Sequence, residues 1–425
     1  MSDLNVVHAA QVARISDGGE PRRGASQGEL DLIADGGVAI RDGVVVAVGQ
    51  TAEVLREWSD PAVRTIDASG RSVLPGLIEC HSHPLFAGSR HAEYAKRLAG
   101  ASLAEIAAAG GGIWASVLAT RAASDAQLTA QLAGAYRRIL AGGVTTLEVK
   151  SGYGLTAETE RHQLELLARS RAATPLNLFI SFLGAHVVPA DMEAEAYTDE
   201  VLAMLETVVA HGLADFHDVT CEAGLFTPEQ ALRMLQRSAE LGIATRTHSD
   251  AWQSSAGWET AVTGGALSAE HLTYTPDEEI RGVGQTDTVA VLLPQAELVY
   301  MTDRRANARL FIDTGVPVAI ATDYCSSIHA TSLTGTIALG APWFRITPGE
   351  AIVAATLNAA YALSAAGDRG SLDPGKRGDL TILSVDHPEE LCLAAGQDVV
   401  SQVVIGGEVV HCAGGRDPIS IPDTV

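Results

Sequence analysis

Two histidines one residue apart, His81 and His83, follow an apolar run that begins at Leu77. Side chains of a β-strand alternate between its two faces, so residues i and i+2 point in the same direction. The two imidazoles are therefore expected to project together from the end of one strand. Such a pair can hold a divalent metal ion when further ligands are added. Taken alone it also fits two packed or surface histidines, so the rest of the sequence has to decide.

Three further histidines and one aspartate stand where other strand-like runs end. These residues are His186, His248, His271 and Asp323. A random distribution would scatter histidines over helix surfaces and loops, so this pattern favours one common site. A His and Asp ligand set with an open position is typical of a catalytic zinc, iron or manganese ion. Such an ion makes water nucleophilic and polarises a carbonyl group, which predicts hydrolysis of an amide-like bond.

Eight strand-like runs follow one another through the middle of the chain, and helical patterns such as Pro228–Leu241 and Thr302–Gly315 separate most of them. The runs lie near residues 77–83, 142–150, 177–186, 214–221, 242–248, 265–271, 288–294 and 316–323. This alternation predicts an α/β fold, a (β/α)8 TIM-like barrel over residues 76–371, with its chemistry at the carboxyl ends of the strands. The alternative is a doubly wound open sheet, but the first run ends in His-Ser-His-Pro instead of a glycine-rich phosphate loop.

Both ends of the chain resemble short strands joined by glycine turns. Asp42-Gly43 is a hairpin signal between two apolar runs. Residues 378–383 and 402–411 show the same pattern of apolar runs next to glycine turns. Neither end alone offers enough strands for a stable sheet. We therefore expect one small composite β-sandwich domain built from residues 1–75 and 372–425.

The composition narrows the classes of function. A net charge of −23 repels nucleic acid and anionic lipid, and an anionic substrate would need a local basic group. No apolar run approaches the roughly 20 residues of a bilayer span, and the first residues lack the form of a signal peptide. The five cysteines contain no C-x-x-C pair and are expected to be reduced thiols. We therefore expect a cytoplasmic protein with no nucleic-acid or membrane partner.

Most of the chain resembles the imidazolonepropionases of the metal-dependent amidohydrolase superfamily, the ring-opening enzymes of histidine breakdown. The resemblance is most specific at Gly110-Gly111-Gly112-Ile113 and Lys150-Ser151-Gly152-Tyr153-Gly154. It extends through residues 75–90, 143–155, 182–186, 266–272 and 291–294. It implies a hydrolase that cleaves a C–N bond of a small anionic heterocycle, a five-membered imidazolone-type ring with a propionate arm.

The resemblance also implies roles for individual residues. It implies one divalent ion, zinc first and iron or manganese as alternatives, held by His81, His83, His248 and Asp323. It implies His271 as a polar partner near the metal. As a mechanism we expect Asp323 to accept a proton from water and to pass it to the leaving ring nitrogen, and His271 to stabilise the oxyanion that develops on the ring carbonyl. Arg90, Tyr153 and His186 would bind the substrate; Arg90 is a planar, permanently charged fork suited to a carboxylate. A homodimer is expected by the same resemblance.

Three pocket positions depart from that family. Ala251 stands where the family has a Glu or Gln that is its proposed general base, Cys325 replaces an Asn, and Leu103 replaces a usual Tyr. Alanine cannot move a proton, so we expect the metal chemistry to be retained while the substrate or the proton path differs.

These departures leave two alternatives open. One is hydrolysis of a hydantoin- or thiohydantoin-propionate, including desulfurising or deaminating variants, with Cys325 either contacting the ring or only filling space. The other is a catalytically silent metal-binding protein. Lys150 has two interpretations as well, the carboxylated lysine of two-metal relatives or a structural lysine, and we prefer the second.

Overall fold

The computed structural model describes residues 2–414. Its strands are β1 (Leu4–Ala13), β2 (Leu32–Arg41), β3 (Val44–Gln50), β4 (Arg64–Asp67), β5 (Ser72–Pro75), β6 (Leu77–Glu79), β7 (Val144–Lys150), β8 (Asn177–Ala185), β9 (Phe216–Cys221), β10 (Ala244–Ser249), β11 (Ser268–His271), β12 (Val289–Leu292), β13 (Val318–Ile320), β14 (Leu380–Leu383), β15 (Val400–Ile405) and β16 (Glu408–Cys412). Its α-helices are α1 (Thr51–Trp58), α2 (His91–Leu98), α3 (Leu103–Ala108), α4 (Ile113–Ala122), α5 (Asp125–Ala141), α6 (Ala157–Ser170), α7 (Ala194–Ala210), α8 (Pro228–Leu241), α9 (Gly257–Thr263), α10 (Asp277–Val283), α11 (Pro294–Tyr300), α12 (Ala308–Asp313), α13 (Leu333–Phe344), α14 (Pro348–Ala354) and α15 (Leu357–Ala362).

Strands β6 to β13 form one parallel sheet in which each strand pairs with the next in the chain. Each of the eight predicted runs overlaps one of these strands, and only β10 extends past its run, by Ser249. The sheet closes where the first and last strands continue: Ser82 forms a parallel bridge with Tyr324, and the His83 amide donates to the Tyr324 carbonyl at 2.8 Å. The predicted (β/α)8 barrel is confirmed.

The remaining strands form a second sheet with members from both ends of the chain. Its order is β16-β15-β14-β5-β1-β2-β3, with β4 beside β1. The β2–β3 hairpin turns at the predicted Asp42-Gly43, and β14 pairs antiparallel with β5. A separate sheet built from both ends of the chain is confirmed. The domain bounds 1–75 and 372–425 and the sandwich form stay predictions, and Met1 and residues 415–425 lie outside the described residues.

A single glycine, Gly76, joins the two sheets. Strand β5 ends at Pro75 and β6 begins at Leu77, and the Gly76 amide still donates to Asp379 of the composite sheet at 2.8 Å. A Cβ atom on Gly76 would lie 2.2 Å from Oγ1 of Thr145 on β7. Only glycine fits this close approach, which fixes the direction in which the chain enters the barrel five residues before His81.

Two helices show how local sequence sets the elements between the strands. Helix α8 begins at Pro228, because Thr227 and Gln230 form a reciprocal capping box, and it ends before Gly242, whose φ is 75°. The helical pattern over Thr302–Gly315 was too long: α12 begins only at Ala308, where Asn307 accepts from the Leu310 amide at 3.2 Å and caps the helix. Within residues 2–414, no helix combines the length and the apolar character that a membrane span requires.

Candidate metal centre and substrate pocket

Four predicted ligands from three parts of the barrel meet at the carboxyl ends of the strands. His81 and His83 follow β6, His248 lies in β10, and Asp323 follows β13. Nε2 of His83 lies 3.3 Å from Nε2 of His81 and 3.4 Å from Nε2 of His248. Asp323 Oδ1 lies 3.3 Å from Nε2 of His81 and 3.5 Å from Nε2 of His83. All four side chains are buried.

These separations are in the range of ligand atoms that share a metal ion. Zinc binds imidazole nitrogen and carboxylate oxygen at about 2.0–2.1 Å, so neighbouring ligand atoms of a tetrahedral site lie about 3.3–3.4 Å apart. The four separations given above are 3.3–3.5 Å. Two overlapping groups have ligand atoms close enough for an ion: His81 with His83 and Asp323, and His81 with His248 and His271. Three nitrogen donors with one carboxylate are also acceptable to iron or manganese.

Carboxylates behind two of the imidazoles fix which nitrogen faces the ion. His81 Nδ1 donates to Oε2 of Glu270, and His248 Nδ1 lies 3.0 Å from Oδ1 of Asp218. A proton on each Nδ1 leaves the Nε2 lone pair free for a metal, as is usual for ligating histidines. Nδ1 of His83 has no partner among the described residues.

A fully buried ion network supports these carboxylates from below. Nζ of Lys150 lies 2.8 Å from Glu148, 2.6 Å from Asp218 and 3.3 Å from Glu270, and Arg246 binds Glu270 on its other side. Burial alone would lower the pKa of Lys150, but the three carboxylates outweigh it and raise the pKa. An ammonium with three carboxylate partners agrees with the structural interpretation of Lys150.

His271 and His186 face the same pocket from neighbouring strand ends. Burial lowers the pKa of each imidazole to about 3, so both are neutral. Nδ1 of His186 donates to the Gly152 carbonyl at 2.9 Å, which leaves its Nε2 as an acceptor. His271 has a φ of 76° and Asp323 a φ of 53°; two non-glycine residues in the left-handed region at one site are the kind of strain that functional sites hold.

The loop that carries Tyr153 is packed too tightly for side chains at its two glycines. A Cβ on Gly152, whose φ is 110°, would lie 3.0 Å from the Leu183 carbonyl and 3.1 Å from Nδ1 of His186. A Cβ on Gly154 would lie 2.6 Å from the Glu160 amide. Tyr153 is therefore held, buried, beside the imidazoles of His83 and His186, with ring centroids 6.2 and 5.4 Å away.

Arg90 reaches the pocket from the residue just before α2. Its guanidinium pairs with Glu93 at 2.9 Å, and Glu93 accepts from the Gly112 amide at 3.0 Å. The Gly110-Gly111-Gly112 stretch thus helps to position Arg90, because Glu93 contacts both. The Arg90 side chain remains 9% exposed and lines the pocket.

Of the three departing positions, the structure places two in the pocket wall. Ala251 and Cys325 line it, and Sγ of Cys325 lies 3.2 Å from Oγ of Ser327. The side chain of Leu103 lies outside what the structure describes. Both substitutions therefore alter the wall of the pocket that also holds His83, His248 and Asp323.

Sequence reasoning missed three further pocket residues. Trp252 and Tyr300 meet edge to face with centroids 4.6 Å apart, and Tyr300 bonds Ser327 at 2.7 Å. Glu222 directly follows β9 and accepts from the backbone amides of the loop after His248, at 2.6 Å from Ala251. The strand-end rule could have identified Glu222; Tyr300 ends a helix and carries no comparable signal.

Comparison with known proteins agrees with this geometry. Residues 72–410 match the Amidohydrolase family. A protein named imidazolonepropionase from Geobacillus kaustophilus is 42% identical over 389 residues, which is 90% of this chain and 91% of that protein. Another from Halobacterium salinarum is 38% identical over 98% of this chain and 100% of its own length. The chain belongs to the amidohydrolase family, as an imidazolonepropionase-like member.

Solved structures show the amidohydrolase fold with low sequence identity. An adenosine deaminase from Xanthomonas campestris with bound zinc has a TM-score of 0.71 at 19% identity, covering 97% of this chain and 93% of the other. The zinc complex of atrazine chlorohydrolase from Arthrobacter aurescens TC1 has a TM-score of 0.67 at 18% identity, covering 96% and 95%. The resemblance drawn from the sequence is confirmed, and this amidohydrolase shares its barrel with zinc-binding proteins.

Proposed function

We propose that this amidohydrolase hydrolyses a C–N bond in a five-membered imidazolone ring that bears a propionate arm. Relatives of that name match nearly the whole chain. The observation that carries the proposal is that Nε2 of His83 lies 3.3–3.5 Å from ligand atoms of His81, His248 and Asp323, beside a pocket that also holds Arg90.

One divalent ion, zinc first and iron or manganese as alternatives, fits the four ligand atoms. When bound, it supplies a Lewis acid for the ring carbonyl and makes water nucleophilic at neutral pH. The buried carboxylates beneath the histidines outnumber Lys150 and Arg246, and this net negative charge favours a cation at the site.

The chain's own residues bind and orient the ring. Arg90 holds the carboxylate arm, because its guanidinium stays charged and forms two parallel hydrogen bonds with a carboxylate. Tyr153 closes the same end of the pocket. Neutral His271 donates to the carbonyl oxygen as it gains negative charge, and Nε2 of His186 accepts from a ring N–H. Asp323 accepts the proton that water loses as it adds to the carbonyl carbon.

A second candidate is the same chemistry on a hydantoin- or thiohydantoin-propionate. Ala251 and Cys325 favour it, because they change two polar positions of the pocket wall while the four ligand positions are kept. A thiol at Cys325 suits a soft sulfur substituent better than an amide does.

The test measures loss of ring ultraviolet absorbance with imidazolone-, hydantoin- and thiohydantoin-propionate and protein of known metal content. Ring opening of the imidazolone supports the proposal, and activity on only the other rings supports the second candidate. Release of ammonia or sulfide with the ring intact identifies a deaminating or desulfurising enzyme. Tightly bound metal with no turnover identifies a silent binding protein.

Arg90 provides an independent check of the substrate's arm. Arg90→Met should raise KM for the propionate substrate by at least tenfold and leave KM for its neutral amide almost unchanged. Lys96→Met, which removes a charge from an exposed position of α2, is the control. The expected homodimer and cytoplasmic location stay predictions, to be measured by light scattering and cell fractionation.

A further inference from the structure

The pocket of this amidohydrolase is lined by two carboxyl groups among the described residues, Asp323 and Glu222. Asp323 lies against the imidazoles of His81 and His83 and belongs to the ligand set. Glu222 comes from the end of β9, outside that set, and is 2% exposed. It is therefore the carboxyl group of the pocket wall that does not belong to the predicted ligand set.

Backbone hydrogen bonds hold the Glu222 carboxyl next to Ala251, a residue that has no carboxyl group of its own. Oε2 of Glu222 lies 2.6 Å from the Ala251 amide, and Oε1 accepts from Trp252 at 3.3 Å and Gln253 at 3.1 Å. Three fixed amides hold the carboxyl in one orientation. Ala251 ends at Cβ, so it offers no group of its own for proton transfer.

We propose that Glu222 is the general acid that protonates the departing ring nitrogen. This rests on the proposed function. Water adds to the carbonyl carbon and forms the new C–O bond while its proton passes to Asp323. The C–N bond then breaks, the electron pair stays on nitrogen, and the proton of the Glu222 carboxyl goes to that nitrogen. Solvent restores both carboxyl groups, so each turnover consumes one water molecule.

The surroundings of Glu222 suit this role. Burial, with a smaller contribution from the Asp250 carboxylate, raises its pKa to about 7, although the three backbone amides act in the opposite direction. The ionisable groups that share the pocket with Glu222 include the imidazoles of His83, His186, His248 and His271 and the Asp323 carboxyl, and the Cys221 thiol precedes it on β9. A general acid works best with a pKa near the working pH.

The first test is Glu222→Gln, followed through the pH dependence of kcat/KM. A general acid must be protonated, so wild-type kcat/KM should fall as the pH rises above about 7. The variant should lose this alkaline limb and about 10²–10⁴-fold in kcat. Glu279→Gln is the matched control: its pKa is also raised to about 7, but it lies outside the pocket, so the limb should stay.

A rescue experiment separates proton transfer from bracing of the loop. Ala251→Glu added to Glu222→Gln returns a carboxyl to the pocket without restoring the loop contacts. The Ala251→Glu single variant is the control, and recovery of at least tenfold in kcat beyond the gain in that single variant supports the general acid. If Ala251→Glu recovers nothing and the single variant keeps its alkaline limb, Glu222 only braces the loop and the proposal is overturned.

Infrared spectroscopy tests the proton without turnover. The wild-type difference spectrum between about pH 6 and about pH 8 should contain a protonated-carboxyl band that Glu222→Gln lacks. Absence of that band overturns the proposal. A wild type that opens no ring overturns the proposed function instead, and the band then shows separately whether Glu222 holds a proton.

Discussion

Oδ1 of Asp218 lies 3.0 Å from Nδ1 of His248, while its Oδ2 lies 2.6 Å from the Lys150 ammonium. One carboxylate thus orients a metal-facing imidazole and joins it to the buried ion network. Asp218→Asn should lower zinc affinity by about 10–100-fold, because the amide group no longer pairs with Lys150 and holds the imidazole less firmly. Competition with a chelator measures this, and exposed Asp199→Asn is the control. Unchanged affinity would show that His248 needs no such partner.

Lys150→Met should destabilise the fold strongly. The substitution leaves Glu148, Asp218 and Glu270 without their shared cation, and breaking a buried ion pair costs about 3–5 kcal/mol. Urea unfolding measures the loss, and exposed Lys96→Met should stay within about 0.5 kcal/mol of wild type. A Lys150 variant as stable as wild type would contradict the structural role of this ammonium.

Gly152→Ala should damage the pocket more than its backbone strain predicts. Gly152 has a φ of 110° and close neighbours in Leu183 and His186, whereas Gly100 has a φ of 94° and no atom within 4 Å of a built Cβ. Gly100→Ala should cost roughly 1–2 kcal/mol from the left-handed backbone alone. Gly152→Ala should cost more and also lower kcat/KM. Equal costs with unchanged kinetics would refute tight packing around the Tyr153 loop.

Stability should depend on pH through Glu279. Burial, with Asp250 and Glu259, raises its pKa from the ordinary 4.5 to about 7. Between these values the folded protein binds more protons than the unfolded chain, so this group lowers stability as the pH rises. Glu279→Gln should therefore raise Tm above about pH 7 and leave it unchanged below about pH 4. Glu158→Gln, at an exposed position of α6, removes the same charge without this pattern; matching behaviour of the two variants would disprove the effect.

The residues at the strand ends were predictable from two simple rules. The alternation of side chains in extended backbone aligned His81 with His83, which follow β6. The rule that barrel chemistry lies at the carboxyl ends of the strands brought His248 and Asp323 to the same rim. The capping signals of Thr227 and Gln230 set the start of α8 in the same local way. These signals need only a few neighbouring residues, so they survive without knowledge of the tertiary structure.

The rest of the site depends on contacts between distant segments. Asp218 and Glu270 lie behind the imidazoles because of the register in which β9, β10 and β11 pair, which no single strand encodes. Tyr300 reaches the pocket only because α11 brings it against Trp252 and Ser327. The start of α12 at Ala308 depended on an Asn307 cap that the apolar pattern concealed.

The bridge between Ser82 and Tyr324 has a consequence for biosynthesis. Its partners are encoded near opposite ends of the barrel, so a growing polypeptide carries the paired imidazoles on the ribosome long before their aspartate partner is translated. The four predicted ligands can meet only after β13, the last barrel strand, has emerged and docked. A translation product truncated before Asp323 therefore cannot assemble the predicted site, although β14–β16 are still to be made.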